Sequence, residues 1–150
     1  MSVKKSRIIH EICEDRFKNE CYNQVNYFID NETQTIVCKL EPYTNPFFKD
    51  NDDISVEINR SFFELCEDCH ISFVGKAVCL PEDSYNVEFG KKLAYDKAMF
   101  KMLASKKNFF KDHIKFFNGL IEKIEKEIDN VEAVENKVTE RFENKIREVM

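Results

Sequence analysis

No tryptophan occurs among the 150 residues of this chain, and only three glycines, three prolines and three histidines do. A shortage of glycine and proline leaves few tight turns, so the chain must be built from long regular elements. It also excludes the glycine-rich loop that cradles a phosphate in backbone N–H groups. His10, His70 and His113 lie far apart and belong to no recognisable nucleophile or metal-hydrolase motif. The expectation is a protein that is not an enzyme and that carries no cofactor. Long apolar runs are missing too: neither a signal-peptide core nor a membrane span can be found. A cytoplasmic location without a membrane partner follows as an expectation.

What is there is apolar enough to fold. Hydrophobic residues make up 43% of the chain, with fourteen phenylalanines, which fits one domain with a buried core plus an extension. The formal net charge of −5 is unevenly spread. Residues 1–85 carry 9 basic and 16 acidic side chains, residues 86–115 carry 8 and 3, and residues 116–150 carry 6 and 9. A local basic stretch inside an acidic protein is the trace either of a site for an anion or of a solvated helix face.

Six cysteines, Cys13, Cys21, Cys38, Cys66, Cys69 and Cys79, read as free thiols in a reducing compartment. Cys66-Glu-Asp-Cys69-His70 has the spacing of a zinc-binding pair and of c-type haem attachment. Haem attachment requires export, and zinc needs further ligands that only Cys79, with Cys38 or His70, could supply. Against both stands the behaviour of free cysteine as a small buried hydrophobe. No metal is expected.

Periodicity divides the chain coarsely. Ile8, Ile9, Ile12, Cys13 and Phe17 have helical spacing and predict a short helix over 6–17. Thr33 to Leu40 is rich in β-branched residues and predicts a strand ended by Pro42, with a loop through Asn45-Pro46. Ile54, Val56 and Ile58 alternate with polar residues, predicting a second strand over 54–66 that turns near Glu67-Asp68 into a third, Ile71 to Leu80. Pro81 ends that strand. Asp83, Ser84 or Asn86 can cap a helix beginning near Val87, with Glu88 favourable in its first turn. This helix carries Phe89, Leu93, Phe100 and Leu103 on one side and Ala94 and Ala98 on another. Gly90 in its first turn either relieves a close contact or lets a ligand approach the backbone.

From Phe110 the apolar residues Ile114, Phe117, Ile121, Ile124, Ile128 and Val131 follow in alternate steps of four and three, the a/d seam of a coiled coil. Val134, Val138, Phe142, Ile146 and Val149 continue it with a mean step near 3.6. Some forty helical residues reach about 60 Å at ~1.5 Å per residue, beyond the width of a small domain. The helix therefore either folds back near Asp129-Asn130 or pairs with another subunit.

The string Gly75 to Ala98, GKAVCLPEDSYNVEFGKKLAYDKA, resembles a module of small proteins from phages that infect Gram-positive bacteria. In that module a strand ending G-x-A-x-C precedes a P-E/D-D turn, an aromatic-Asn pair and a helix reading G-x-x-x-A. Within that group it is similar to the Thoeris anti-defence proteins. The resemblance implies a cytoplasmic oligomeric sponge, acting in the infected bacterial host, that sequesters a cyclic ADP-ribose-type or cyclic oligonucleotide second messenger without cleaving it. Where the module's helix has Arg-Ala, this chain has Lys97-Ala98, which keeps the charge but loses the planar bidentate grip on phosphate.

A nucleotide needs cations, a helix N-terminus and aromatic faces. Lys76, Lys91, Lys92 and Lys97 can supply charge, Phe73 and Tyr85 rings, and Asn86 an amide for a base or ribose edge. Phe73 has an alternative role in the core and Asn86 one as a helix cap; Tyr85, in a polar turn, is the better ring. A different reading is a nucleic-acid or host-protein interaction module like the double-stranded RNA-binding domain, from the order strand, strand, strand, helix with lysines on the last helix. The net negative charge argues against nucleic acid as the partner. The expected fold is α+β: a three- to four-stranded antiparallel sheet packed by a helix within a ligand-binding domain over 1–107, and a long C-terminal amphipathic helix over 108–150 for homo-oligomerisation.

Overall fold

The computed structural model describes residues 7–17, 20–45 and 54–150. Its α+β architecture is an antiparallel four-stranded sheet, in the order β1-β2-β3-β4, with two helices. The strands are β1 (Ile8–Arg16), β2 (Cys21–Asp30), β3 (Thr35–Thr44) and β4 (Phe73–Val78); the helices are α1 (Ile54–Asp68) and α2 (Val87–Val149). The chain divides into two compact units, Met1–Phe109 and Phe110–Met150.

Two elements differ in kind from the sequence reading. The segment read as an N-terminal helix is β1, paired along its length with β2 in the register Ile12↔Asn26. Its isoleucines fall on both faces: Ile8 and Ile12 on one, Ile9 and Cys13 on the other, so the spacing of three and four imitates a helix. The segment read as a strand over 54–66 is α1. Its β-branched start imitates alternation, but Phe62, Phe63 and Cys66 are all buried, which is a helical stripe and not a period of two. Strand β2 carries no clean alternation, because buried Asn23 and Asn26 interrupt its apolar pattern. Strand β3 also runs on through Pro42. Strand β4 pairs only with Thr35–Leu40, so at Pro42 one edge of β3 is open and the missing N–H is tolerated. The sheet thus spans residues 8–78, not 33–80, and α1 lies between its third and fourth strands. From β3 onward the order is strand, helix, strand, helix, which differs from the strand, strand, strand, helix read over those residues.

Turns use polar residues in place of the scarce glycine. Between β2 and β3 the Asp30 carboxylate accepts from the backbone N–H of Glu32 at 3.1 Å and of Thr33 at 3.4 Å, an Asx turn. Gln34 closes it in the left-handed region at φ 52°. Helix α1 ends with His70 at φ 53°, its N–H donating to Glu67 O while that of Ile71 donates to Cys66 O at 2.8 Å. This is a Schellman cap with histidine where glycine is usual.

One face of the sheet meets both helices. Val25 and Ile29 of β2, Ile36, Cys38 and Leu40 of β3, and Phe73 and Ala77 of β4 form the core with Phe62 and Phe63 of α1 and Ala94, Ala98 and Met102 of α2. Strand β4 approaches α2 very closely: a Cβ placed on Gly75 would lie 2.0 Å from Ala94 O and 2.5 Å from Ala98 N. Glycine on the strand and two alanines on the helix are what permit that distance. Gly90 faces Ile36, whose Cδ1 would stand 2.6 Å from an added Cβ, so a close contact accounts for it. Helix α2 is continuous through Asp129-Asn130, and the fold-back is not formed. No helix among the described residues is long and apolar enough to cross a membrane.

Candidate functional site

The residues singled out in the sequence do not converge on one place. Phe73 is buried at 8% exposure and stacks on Phe62, with ring centroids 6.4 Å apart; its ring lies in the core, not on a surface. Asn86 caps α2, its side-chain oxygen accepting from Phe89 N–H at 3.1 Å. Tyr85 is half-buried and donates its hydroxyl to Asn31 at 2.9 Å. Both Tyr85 and Asn86 line a groove of about 580 Å³ whose other walls include Ile36, Val78, Leu80 and Phe89. No lysine lines it and Asp83 does, so it offers a phosphate no cation.

Lys91 and Lys92 point different ways, as neighbours on a helix do. Lys91 turns to β1, where its ammonium sits 2.7 Å from Glu11 Oε2 and 4.8 Å from the centre of the Tyr27 ring. The hydrogen bond to Glu11 raises its pKa, and its charge is satisfied within the fold. Lys92 faces solvent. Tyr95, one turn along, donates to Asp15; burial and that carboxylate raise its pKa. The first turns of α2 are thus tied to β1 by two polar contacts.

Lys76 and Lys97, in contrast, are brought together, and Lys101 joins them. Strand β4 is an edge of the sheet, with carbonyls that no further strand pairs among the described residues. Lys97 donates its ammonium to Lys76 O at 2.9 Å, and Lys101 donates to Val74 O at 2.6 Å. Covering an edge with lysines is a known guard against unwanted strand pairing. The same arrangement leaves a shallow groove of about 510 Å³, lined by Lys76, Lys97 and Lys101 with Asp96, Gly75 and Phe100. Each anchored ammonium has three N–H donors and gives one to the backbone, so two remain for a ligand. Periodicity could not show Lys101 as a member, because its place depends on how α2 crosses β4.

Another groove, of about 750 Å³, opens elsewhere, between residues of β1, β2 and β3 and the C-terminal end of α1. Its walls include Gln24, Lys39, Tyr43, Glu14, Glu41 and Glu67. Lys39 is already 3.2 Å from Glu41, and Glu14 accepts from the Tyr43 hydroxyl. Three carboxylates against one paired lysine repel an anion. Nearby, His10 stacks on Phe28 at 4.5 Å and its Nε2 meets Asn26 Oδ1 at 3.0 Å, so that imidazole is held by its neighbours.

The Cys66-x-x-Cys69-His70 motif is split by the end of α1. Cys66 is buried, and desolvation pushes its thiol up to about 11; Cys69 is exposed, and His70 occupies the left-handed cap. Among the described residues no cluster of three potential metal ligands occurs.

In the second unit, Ile114, Phe117, Ile121, Ile124, Ile128 and Val131 are all exposed, as are Val134, Val138, Phe142, Ile146 and Val149. A monomeric protein rarely exposes an apolar stripe of that length. No protein-family model, no curated protein and no solved structure matches this chain.

Proposed function

We propose that this protein binds a small phosphate-bearing nucleotide at the β4 edge and holds it without cleaving it, as the resemblance of residues 75–98 to phage anti-defence sponges implies. Assembly of copies through the exposed seam of α2 belongs to the same reading, as does action in the cytoplasm of an infected bacterial host. The observation that supports it is the convergence of Lys76, Lys97 and Lys101 on one groove, two of them pinned to backbone carbonyls. A pinned ammonium loses less side-chain freedom on binding than a free one, so its attraction for a phosphate is less offset by ordering. Phe100 forms an apolar wall beside the charges.

Calorimetric titration with cyclic dinucleotides, cyclic trinucleotides and cyclic ADP-ribose isomers tests this. Replacing Lys76, Lys97 and Lys101 by glutamine removes charge yet leaves an N–H to cover the strand edge. Hydrogen bonds to charged groups are worth about 1.5–3 kcal/mol each, so loss of two weakens binding by at least about a hundredfold. Lys137→Gln with Lys145→Gln, on the C-terminal half of α2, leaves affinity unchanged. Equal weakening by both sets would point to long-range charge and overturn the site.

A further inference from the structure

The outward side of α2 within the first unit is apolar for no reason internal to the chain. Ala94, Ala98 and Met102 face the sheet and are buried, whereas Phe89 is 65% exposed, Phe100 77% and Leu103 51%. Taking Leu93 as position a of a heptad, Phe100 and Lys107 are the next a positions, and Phe89, Asp96 and Leu103 are the d positions. The sheet-facing residues fall at b, c and f, so the a/d stripe lies on the other side. This is the pattern of a helix with two partners, of which the sheet is one.

Two charges interrupt the stripe, Asp96 at d and Lys107 at a. Both are exposed, and neither has an ion-pair partner among the described residues. Their positions decide who covers the stripe and how. In a parallel pair each seam residue meets its own copy, which sets Asp96 against Asp96 and Lys107 against Lys107. An antiparallel pair sets a against d. If Phe100 of one copy lies opposite Leu103 of the other, four residues outward in opposite directions come Asp96 and Lys107. Each interruption then neutralises the other, twice over by two-fold symmetry. The flanks agree: Lys97 comes beside Ala104 and Met99 beside Lys106, which is turned to the Phe63 ring at 5.4 Å, so flanking lysines do not meet.

We propose that a second copy of this chain covers the Asp96–Lys107 face antiparallel to it, centred between Phe100 and Leu103. The pairing direction is set by ion pairs between Asp96 and the partner's Lys107. The inference rests on the self-assembly part of the proposed function and adds the surface, direction and register. It does not depend on the seam beyond Phe109.

Sedimentation equilibrium of the full chain, wild type against Asp96→Lys, Lys107→Asp and the double variant, is the test. Both side chains are exposed, so folding is unaffected, as far-UV circular dichroism checks. Each single reversal turns two attractions into two repulsions. The dissociation constant of this step should rise by on the order of a hundredfold or more, and the double variant should recover wild-type association. Single reversals that leave association unchanged, or a double variant that fails to recover it, would overturn the antiparallel pairing while leaving self-assembly standing. A wild-type chain that is monomeric at every concentration would sink both.

Discussion

Substituting alanine at each of the three glycines should give three different results, because each stands in a different place. At Gly75 the new Cβ meets Ala94 O at 2.0 Å and Ala98 N at 2.5 Å. Both are backbone atoms of α2, which no side-chain rotation can move aside, so β4 and the helix must separate. Overpacking costs typically about 1–3 kcal/mol, and a backbone clash belongs at the upper end. At about 2–4 °C per kcal/mol for a chain of this size, about 3 kcal/mol lowers Tm by roughly 6–12 °C. At Gly90 the obstacle is only Cδ1 of Ile36 at 2.6 Å. Removing it with Ile36→Val should make Gly90→Ala stabilising on that background, through the helix-propensity gain of up to about 1 kcal/mol. At Gly119 nothing lies within 4 Å, and alanine should raise helix stability by a similar amount. Urea titration followed by circular dichroism at 222 nm separates the three. Gly75→Ala with wild-type stability would refute the close strand–helix contact on which the placement of Lys97 and Lys101 depends.

Thiol reactivity should fall into two groups: Cys13 and Cys69 are exposed and should react with Ellman's reagent in the native state, while Cys21, Cys38 and Cys66 are buried and should react only on unfolding. Burial raises Cys38 from 9.0 to about 12 and Cys66 from 9.0 to about 11, so the folded state holds these protons more tightly than the unfolded state. Their contribution is intact below pH 9 and is lost as pH rises through 11 and 12, so denaturant midpoints should fall between pH 8 and pH 10.5. Asn86→Ala should cost about 1 kcal/mol of stability as the loss of a helix cap. It should leave nucleotide affinity unchanged, and a large loss of affinity would return Asn86 to the binding site.

The elements that could be read from sequence were those whose partners are local. Asn86 as a cap, the end of β4 before Pro81 and the long helix depend on neighbours within a few residues. Strand β1 and helix α1 were read as each other's type because Ile8, Ile9 and Ile12, and Ile54, Val56 and Ile58, carry spacings that short segments satisfy in either conformation. Only pairing with β2, or burial of Phe62 and Phe63 together, decides them. The candidate site shows the same division. The basic stretch was visible as composition, but Lys91 is taken by Glu11, 80 residues earlier, and Lys101 belongs with Lys76 only because α2 crosses the β4 edge. Gly75 and Ala94, which belong to the string that resembles a phage module, are held in place here by packing.

Binding without turnover is the central claim, and it can be measured directly. The full chain is mixed with each cyclic nucleotide in slight excess of sites and freed of unbound ligand by ultrafiltration. It is then heated to denature it, and the released ligand is identified by chromatography and mass spectrometry. The account predicts that at least one nucleotide is retained and returned chemically intact, and that the glutamine variant of Lys76, Lys97 and Lys101 retains little. Retention of none of them, or return of a hydrolysed product, would contradict it.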